Sequence, residues 1–158
     1  TRVLAEAVRL ADCAQALGIR VVGTEQNPNG LGANASAIRS RCATTLAKMH
    51  FDACRDGLVE ALRDSGGALP RDVVVAGCET HVCLLQTALG LQRAGLPVRI
   101  AVNACGARHA QDHDLALGRL QQSGAVLASV ETIVFEWLQT CEHPRFRAVL
   151  EILKAPRG

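Results

Sequence analysis

Apolar residues along the chain recur with two different spacings, and the switches between them mark out the elements. Val3, Ala7, Leu10, Ala14 and Leu17 fall at three- and four-residue intervals, so residues 1–17 read as one amphipathic helix that Gly18 stops. Ile19–Thr24 is a short apolar run and reads as a buried strand. Asn27-Pro28-Asn29-Gly30 and Gly32 mark Glu25–Ala35 as a loop, with a weak helical turn expected near Ala37–Arg41. Thr44–Lys48 is the next expected strand, and Asp56–Ser65 a helix ended by Gly66-Gly67. Three consecutive valines make Asp72–Ala76 the clearest buried strand.

The second half repeats the alternation. A helix is expected over His81–Arg93, a strand over Pro97–Asn103, a helix over Asp112–Ser123 and a short strand over Gly124–Ala128. Ser129 is placed to cap a helix over Val130–Thr140, and residues 145–154 form a last helix. Strands separated by helical crossovers imply a parallel sheet with helices on both faces, a three-layer α/β/α single domain over residues 1–158.

Composition narrows the class. The 158 residues are 49% hydrophobic, too apolar for a disordered chain, and no apolar run is long enough for a membrane helix. Seventeen basic against 15 acidic side chains, with 3% aromatics, give no footprint for nucleic acid. Seven cysteines, an odd number without a Cys-x-x-Cys pair, imply a reducing compartment, and the N-terminal residues do not read as a signal peptide, so a cytoplasmic protein is expected. His81, Cys83 and Cys78 match no standard structural zinc spacing, and no metal or other cofactor is expected.

In open parallel sheets, ligands bind beyond the carboxyl ends of the strands. Those ends deliver Glu25 and Gln26, Lys48, Gly77–Cys83 and Asn103–Arg108 to one crevice. Cys83 falls in the first turn of a helix, where unpaired amides favour thiolate over thiol. Lys48, set among Leu46, Ala47, Met49 and Phe51, would add a cation beside it. The alternatives are a small buried cysteine and a lysine that extends to water.

Gly77-Cys78-Glu79-Thr80-His81-Val82-Cys83 resembles the nucleophile motif of the isochorismatase-like cysteine hydrolases, read in one branch as Gly-Ile-Glu-x-His-Val-Cys. Thr24-Glu25-Gln26-Asn27-Pro28-Asn29-Gly30-Leu31-Gly32 resembles the Thr-Glu-Gln-Tyr-Pro-Lys-Gly-Leu-Gly loop of that branch, and Lys48-Met49-His50-Phe51 its Lys-Thr-x-Phe segment. Ala104–Arg108 and Phe146–Lys154 also fall where the family has similar runs. The resemblance implies a Rossmann-like six-stranded sheet and an acid–lysine–cysteine triad. Carried over, Cys83 is the nucleophile and Lys48 the lysine. The Glu79 and Cys83 amides form an oxyanion hole, with a cis peptide at Cys78–Glu79. Gln26, His50, Phe51, His81 and Arg108 are the expected substrate-binding residues.

One departure stands out. In the family the triad acid ends the first strand, in an Asp-x-Gln motif, and the present sequence opens on the helix that follows it. The expectation is that this central strand, between Ile19–Thr24 and Asp72–Ala76, lies outside the 158 residues. Two functions are therefore in play. One is a cysteine amidohydrolase that cleaves a small amide, imide or carbamoyl substrate through an acyl-enzyme on Cys83. The other is a non-catalytic scaffold or binding protein of the same fold. A homo-oligomer is expected, with the apolar side of helix 145–154 taking part.

Overall fold

The computed structural model describes residues 1–156. Helix α1 (Arg2–Ala16) starts at Thr1, whose hydroxyl accepts from the Leu4 amide, and leads to β1 (Val22–Gln26). Two short helices, α2 (Pro28–Leu31) and α3 (Ser36–Arg39), fill the connection to β2 (Thr44–Lys48). After a 3₁₀ turn (Ala53–Asp56) come α4 (Leu58–Ala61), β3 (Val73–Cys78), a π-helical turn (Thr80–Leu84) and α5 (Leu85–Arg93). Then follow β4 (Val98–Gly106), α6 (Ala110–Gln122), β5 (Val126–Ala128), α7 (Val130–Leu138) and α8 (Phe146–Lys154).

The strands are all parallel and fall into two groups. β1 pairs with β2, with Gln26 opposite Lys48, and β3-β4-β5 form a second sheet in that order. β4 is the spine. Val98 and Ile100 enter an apolar cluster with Leu84, Ala88, Leu91 and Leu120, while Ala101 and Ala104 enter another with Leu10, Ile133, Val134 and Val149. Helices thus cover both faces, and the three-layer α/β/α reading holds. Among the described residues there are five strands, not six.

Between β1 and β3 runs a slot of about 650 Å³. Val22–Thr24 line one side and Val73–Cys78 the other; Leu10 and Ala14 of α1 lie along it, with Leu58 and Leu91. Lys48 and Cys83 also border it. The slot accounts for the Val73–Val75 run, which is only half-buried although it is the most apolar stretch in the sequence. β3 has a neighbour on one side only, whereas Ile100 in the middle of its sheet is fully buried.

Other expectations shift for local reasons. The first strand begins at Val22 instead of Ile19, because the Ile19 amide closes the end of α1 on the Ala14 carbonyl and Arg20 donates back to the Ala61 and Arg63 carbonyls. The helix expected over Asp56–Ser65 shrinks to Leu58–Ala61, since Gly57 takes φ +98° and breaks the turn before it. α8 turns its apolar side inward: Val149 is fully buried and Phe146, Ile152 and Leu153 pack on the α1–α7 cluster. Phe146, Leu150, Ile152 and Leu153 stay partly exposed on that face. Large apolar side chains exposed elsewhere include Leu31, Met49, Phe51, Leu115 and Val126.

Candidate active site

Lys48 is the last residue of β2, and it is buried, at 4% exposure. Its ammonium has three N–H groups and three acceptors: Gln26 Oε1, the His50 carbonyl at 3.1 Å and the Phe51 carbonyl at 3.0 Å. All three are neutral oxygens. Among the described residues, no carboxylate forms an ion pair with Lys48.

Cys83 sits in the π-helical turn, where the Leu84 amide reaches back five residues to the Glu79 carbonyl. Such wide turns are frequent at functional sites. Gly77, at φ +127°, lies where the β3–β4 register shifts, and it re-aims the chain into this turn. The cis peptide that the resemblance implies at Cys78–Glu79 is present. The Cys83 thiol donates to Gln26 Oε1 at 3.7 Å. Cys83 and Lys48 therefore share one acceptor atom, and both border the slot between the sheets.

The expected substrate-binding residues divide. Gln26 turns inward, with Nε2 donating to the Met49 carbonyl at 2.7 Å. His50 and Phe51 give their carbonyls to Lys48, while their side chains face the surface: the Phe51 ring is half-exposed, and His50 Nδ1 meets Asp56 Oδ1 at 2.9 Å. His81 and Arg108 gather around Glu79 instead, with Arg108 Nε 3.2 Å from Glu79 Oε1 and His81 Nδ1 3.6 Å from Oε2. Arg108 is 76% exposed, as expected of a residue at a rim.

Two supporting groups escaped the sequence reading. Asp56 accepts from the Met49 and His50 amides as well as the imidazole, and these contacts, led by the imidazole, hold its carboxyl below the usual carboxylate range. Thr87 holds the other side of the segment by donating to the Phe51 carbonyl at 3.2 Å and accepting from the Ala53 amide at 3.0 Å. Thr87 lies four residues after Cys83, the spacing of one helical face, which is the signal that could have found it. The internal carboxylates nearest in sequence to Gln26 and Lys48 are otherwise engaged. Glu25 holds the Asn34 amide and Arg39, and Asp52 caps Cys54 and pairs with Arg93.

Five of the other six cysteines are disfavoured as thiolates. Burial pushes the thiols of Cys13, Cys54 and Cys105 up to about 11, 12 and 12, and raises Cys42 and Cys78 as well.

The parallel three-layer frame and the motif at the end of β3 agree with a family match: the isochorismatase domain matches residues 1–132, and the chain belongs to that family and has its hydrolase fold. Isochorismatase domain-containing protein 2B of Mus musculus is 34% identical over 98% of this chain and 72% of its own length. The protein of the same name without the letter in Bos taurus is also 34% identical, over 98% of this chain and 74% of its length. Among solved structures, the MAR1 ribonuclease of Caenorhabditis elegans superposes with a TM-score of 0.88 at 29% identity, covering 98% of this chain and 81% of that one.

Proposed function

We propose that this chain carries the lysine and cysteine of a cysteine amidohydrolase acting on a small amide, imide or carbamoyl compound. The observation that carries the reading is the Lys48 ammonium: buried, bonded among the described residues to neutral oxygens alone, and joined through one atom to the Cys83 thiol. A buried cation without an anion is costly, and such a site is suited to holding negative charge when it develops. A thiolate at Cys83 meets that need.

In the proposed reaction Cys83 Sγ attacks the substrate carbonyl, and the amides of Glu79 and Cys83 hold the resulting oxyanion. The C–N bond breaks as the leaving nitrogen takes a proton, giving a thioester. Water then attacks the thioester, releases the acid and returns the thiol. Both proton transfers call for an acid–base group. The slot between β1 and β3 supports its source: two parallel strand edges face each other across an apolar gap, and its border includes Lys48 and Cys83. A parallel strand of about five residues would match the length of β1, join the two groups into one six-stranded sheet and bring an Asp at its end to Lys48. In this reading His50, Phe51, His81 and Arg108 contribute to substrate binding from the surface around the Lys48 and Cys83 segments. Self-association through exposed apolar side chains and a cytoplasmic setting belong to the same proposal.

The experiment compares two proteins, the 158-residue chain and a form extended ahead of Thr1 by a strand ending in Asp. Both are assayed on a panel of small amides that includes nicotinamide, with a short RNA as a separate arm. The extended form is expected to hydrolyse an amide faster by about 10²–10⁴-fold, the contribution of one positioned proton transfer, and Cys83→Ala abolishes the gain. Equal rates in the two forms would overturn the role given to the strand. A fold that binds a partner without turnover is the second reading, favoured by the absence of a carboxylate at Lys48 among the described residues. It predicts no amide hydrolysis from either form. RNA cleavage that survives Cys83→Ala would displace the amide reading altogether.

A further inference from the structure

Gln26 lies at the centre of the polar contacts around Lys48 and Cys83, yet neither end of its carboxamide is free. Nε2 can only donate, and it donates to the Met49 carbonyl at 2.7 Å. That bond fixes the sense of the amide, so the oxygen faces the opposite way, toward Lys48 and Cys83. The backbone register places Gln26 directly across from Lys48, so the two side chains leave the same face of the β1–β2 pair.

We propose that Gln26 is a positioning residue for the Lys48–Cys83 pair and does not contact substrate. The inference rests on the reading of Cys83 as the nucleophile, and it assigns Gln26 a specific task. Its oxygen accepts the thiol hydrogen while Cys83 is neutral, and it occupies one of the three ammonium hydrogens of Lys48. When the thiol loses its proton, the sulfur and the amide oxygen become two acceptors facing each other. The shared ammonium is then the donor that can turn from Oε1 to Sγ. Gln26 thus competes with the sulfur for one ammonium hydrogen of Lys48 and sets how readily the thiolate forms. Because Lys48 keeps the His50 and Phe51 carbonyls, its position does not depend on Gln26 alone.

The remaining charged groups around the turn are mostly paired with one another. Glu79 and His81 on the turn itself engage Arg108 and Asp112, His113 of α6 bonds Thr80, and His50 beyond β2 pairs with Asp56. None of these contacts uses Gln26.

The test is the pH profile of Cys83 alkylation by iodoacetamide, read by peptide mass in the folded protein, with circular dichroism as a control for folding. Gln26→Glu keeps the shape and places a carboxylate on Lys48, which cancels the cation at the sulfur and repels the thiolate. Alkylation at pH 6 is expected to slow at least tenfold, the effect of about one pH unit. Gln26→Met removes the acceptor and frees an ammonium hydrogen for the sulfur, so its profile moves the other way, toward acid. Should one variant not fold, the other carries the test alone. Gln26→Asn, which withdraws the amide by one methylene, is expected to follow Gln26→Met. Profiles that overlay on that of the unmodified protein, or a raised KM for a substrate with no shift in profile, would overturn the proposal. If Cys83 of the unmodified protein labels no faster than the other cysteines, it is the nucleophile reading that fails, and the two failures are distinct.

Discussion

Lys48 and Cys83, carried by β2 and by the turn after β3, donate hydrogen bonds to the same atom, Oε1 of Gln26. The two elements belong to different strand groups, so this atom joins the two halves of the molecule at the carboxyl ends of their strands. A crevice at that position is where a parallel sheet is expected to place its chemistry.

Removing the cation isolates its electrostatic role. Lys48→Met keeps the length and apolar stem and leaves the Gln26, His50 and Phe51 oxygens without their shared donor. The acid limb of Cys83 alkylation is expected to move upward by about one to three pH units, the usual effect of losing an opposite charge at close range. Lys48→Arg is also expected to fail, because a planar guanidinium does not match three donors directed at three separate oxygens. An unchanged profile in Lys48→Met would contradict the assignment.

The fold of the site was partly legible in the sequence. The amphipathic period of α1, the β2 run Thr44–Lys48 and the Ser129 cap are local signals, and the structure follows them: Ser129 Oγ accepts from the Thr132 amide at 3.1 Å. What was not legible depends on long-range packing. No period in the sequence says that Val73–Val75 will lie along an open slot, or that Gln26 will be held by the Met49 carbonyl. Gln26, His50, Phe51, His81 and Arg108 all fall at or shortly beyond a strand end. The structure separates them because side-chain direction, fixed by partners such as Asp56 and Glu79, cannot be read from position alone.

Two glycines of helical segments are expected to respond oppositely to alanine. A methyl group at Gly90 would run into the Asp52 carboxylate, and Asp52 is held by both the Cys54 amide and Arg93. Gly90→Ala is expected to destabilise by about 1–3 kcal/mol, as overpacking does. At Gly118 in α6 a methyl meets nothing within 4 Å, so Gly118→Ala is expected to stabilise by about 0.4–1 kcal/mol. Urea unfolding of the two variants beside the unmodified protein checks both signs.

The Asp56–His50 contact carries a pH signature. The Asp56 carboxyl is held below its usual value, chiefly by the imidazole of His50, so its protonation opposes folding. Its contribution is present above the unfolded carboxylate range, near about pH 4, and is lost as pH falls through the lower folded value. Asp56→Asn should therefore be less stable than the unmodified protein at pH 6, with the gap closing as the pH drops below 4. Thermal unfolding across that range measures it, and a gap that stays constant would show that the pairing does not couple to folding.

Whether Cys83 is the activated thiol of this protein is decided by a competition among its seven cysteines. The folded chain is treated briefly with a limiting amount of iodoacetamide at pH 6, quenched, digested and mapped by mass. Cys13, Cys54 and Cys105 are held back by thiols pushed to about 11, 12 and 12, and Cys42 and Cys78 are raised too. The label is expected to arrive first on Cys83, ahead of the exposed Cys141, and Lys48→Met is expected to remove this preference. First labelling of Cys141, Cys78 or any other cysteine in the unmodified protein would contradict it.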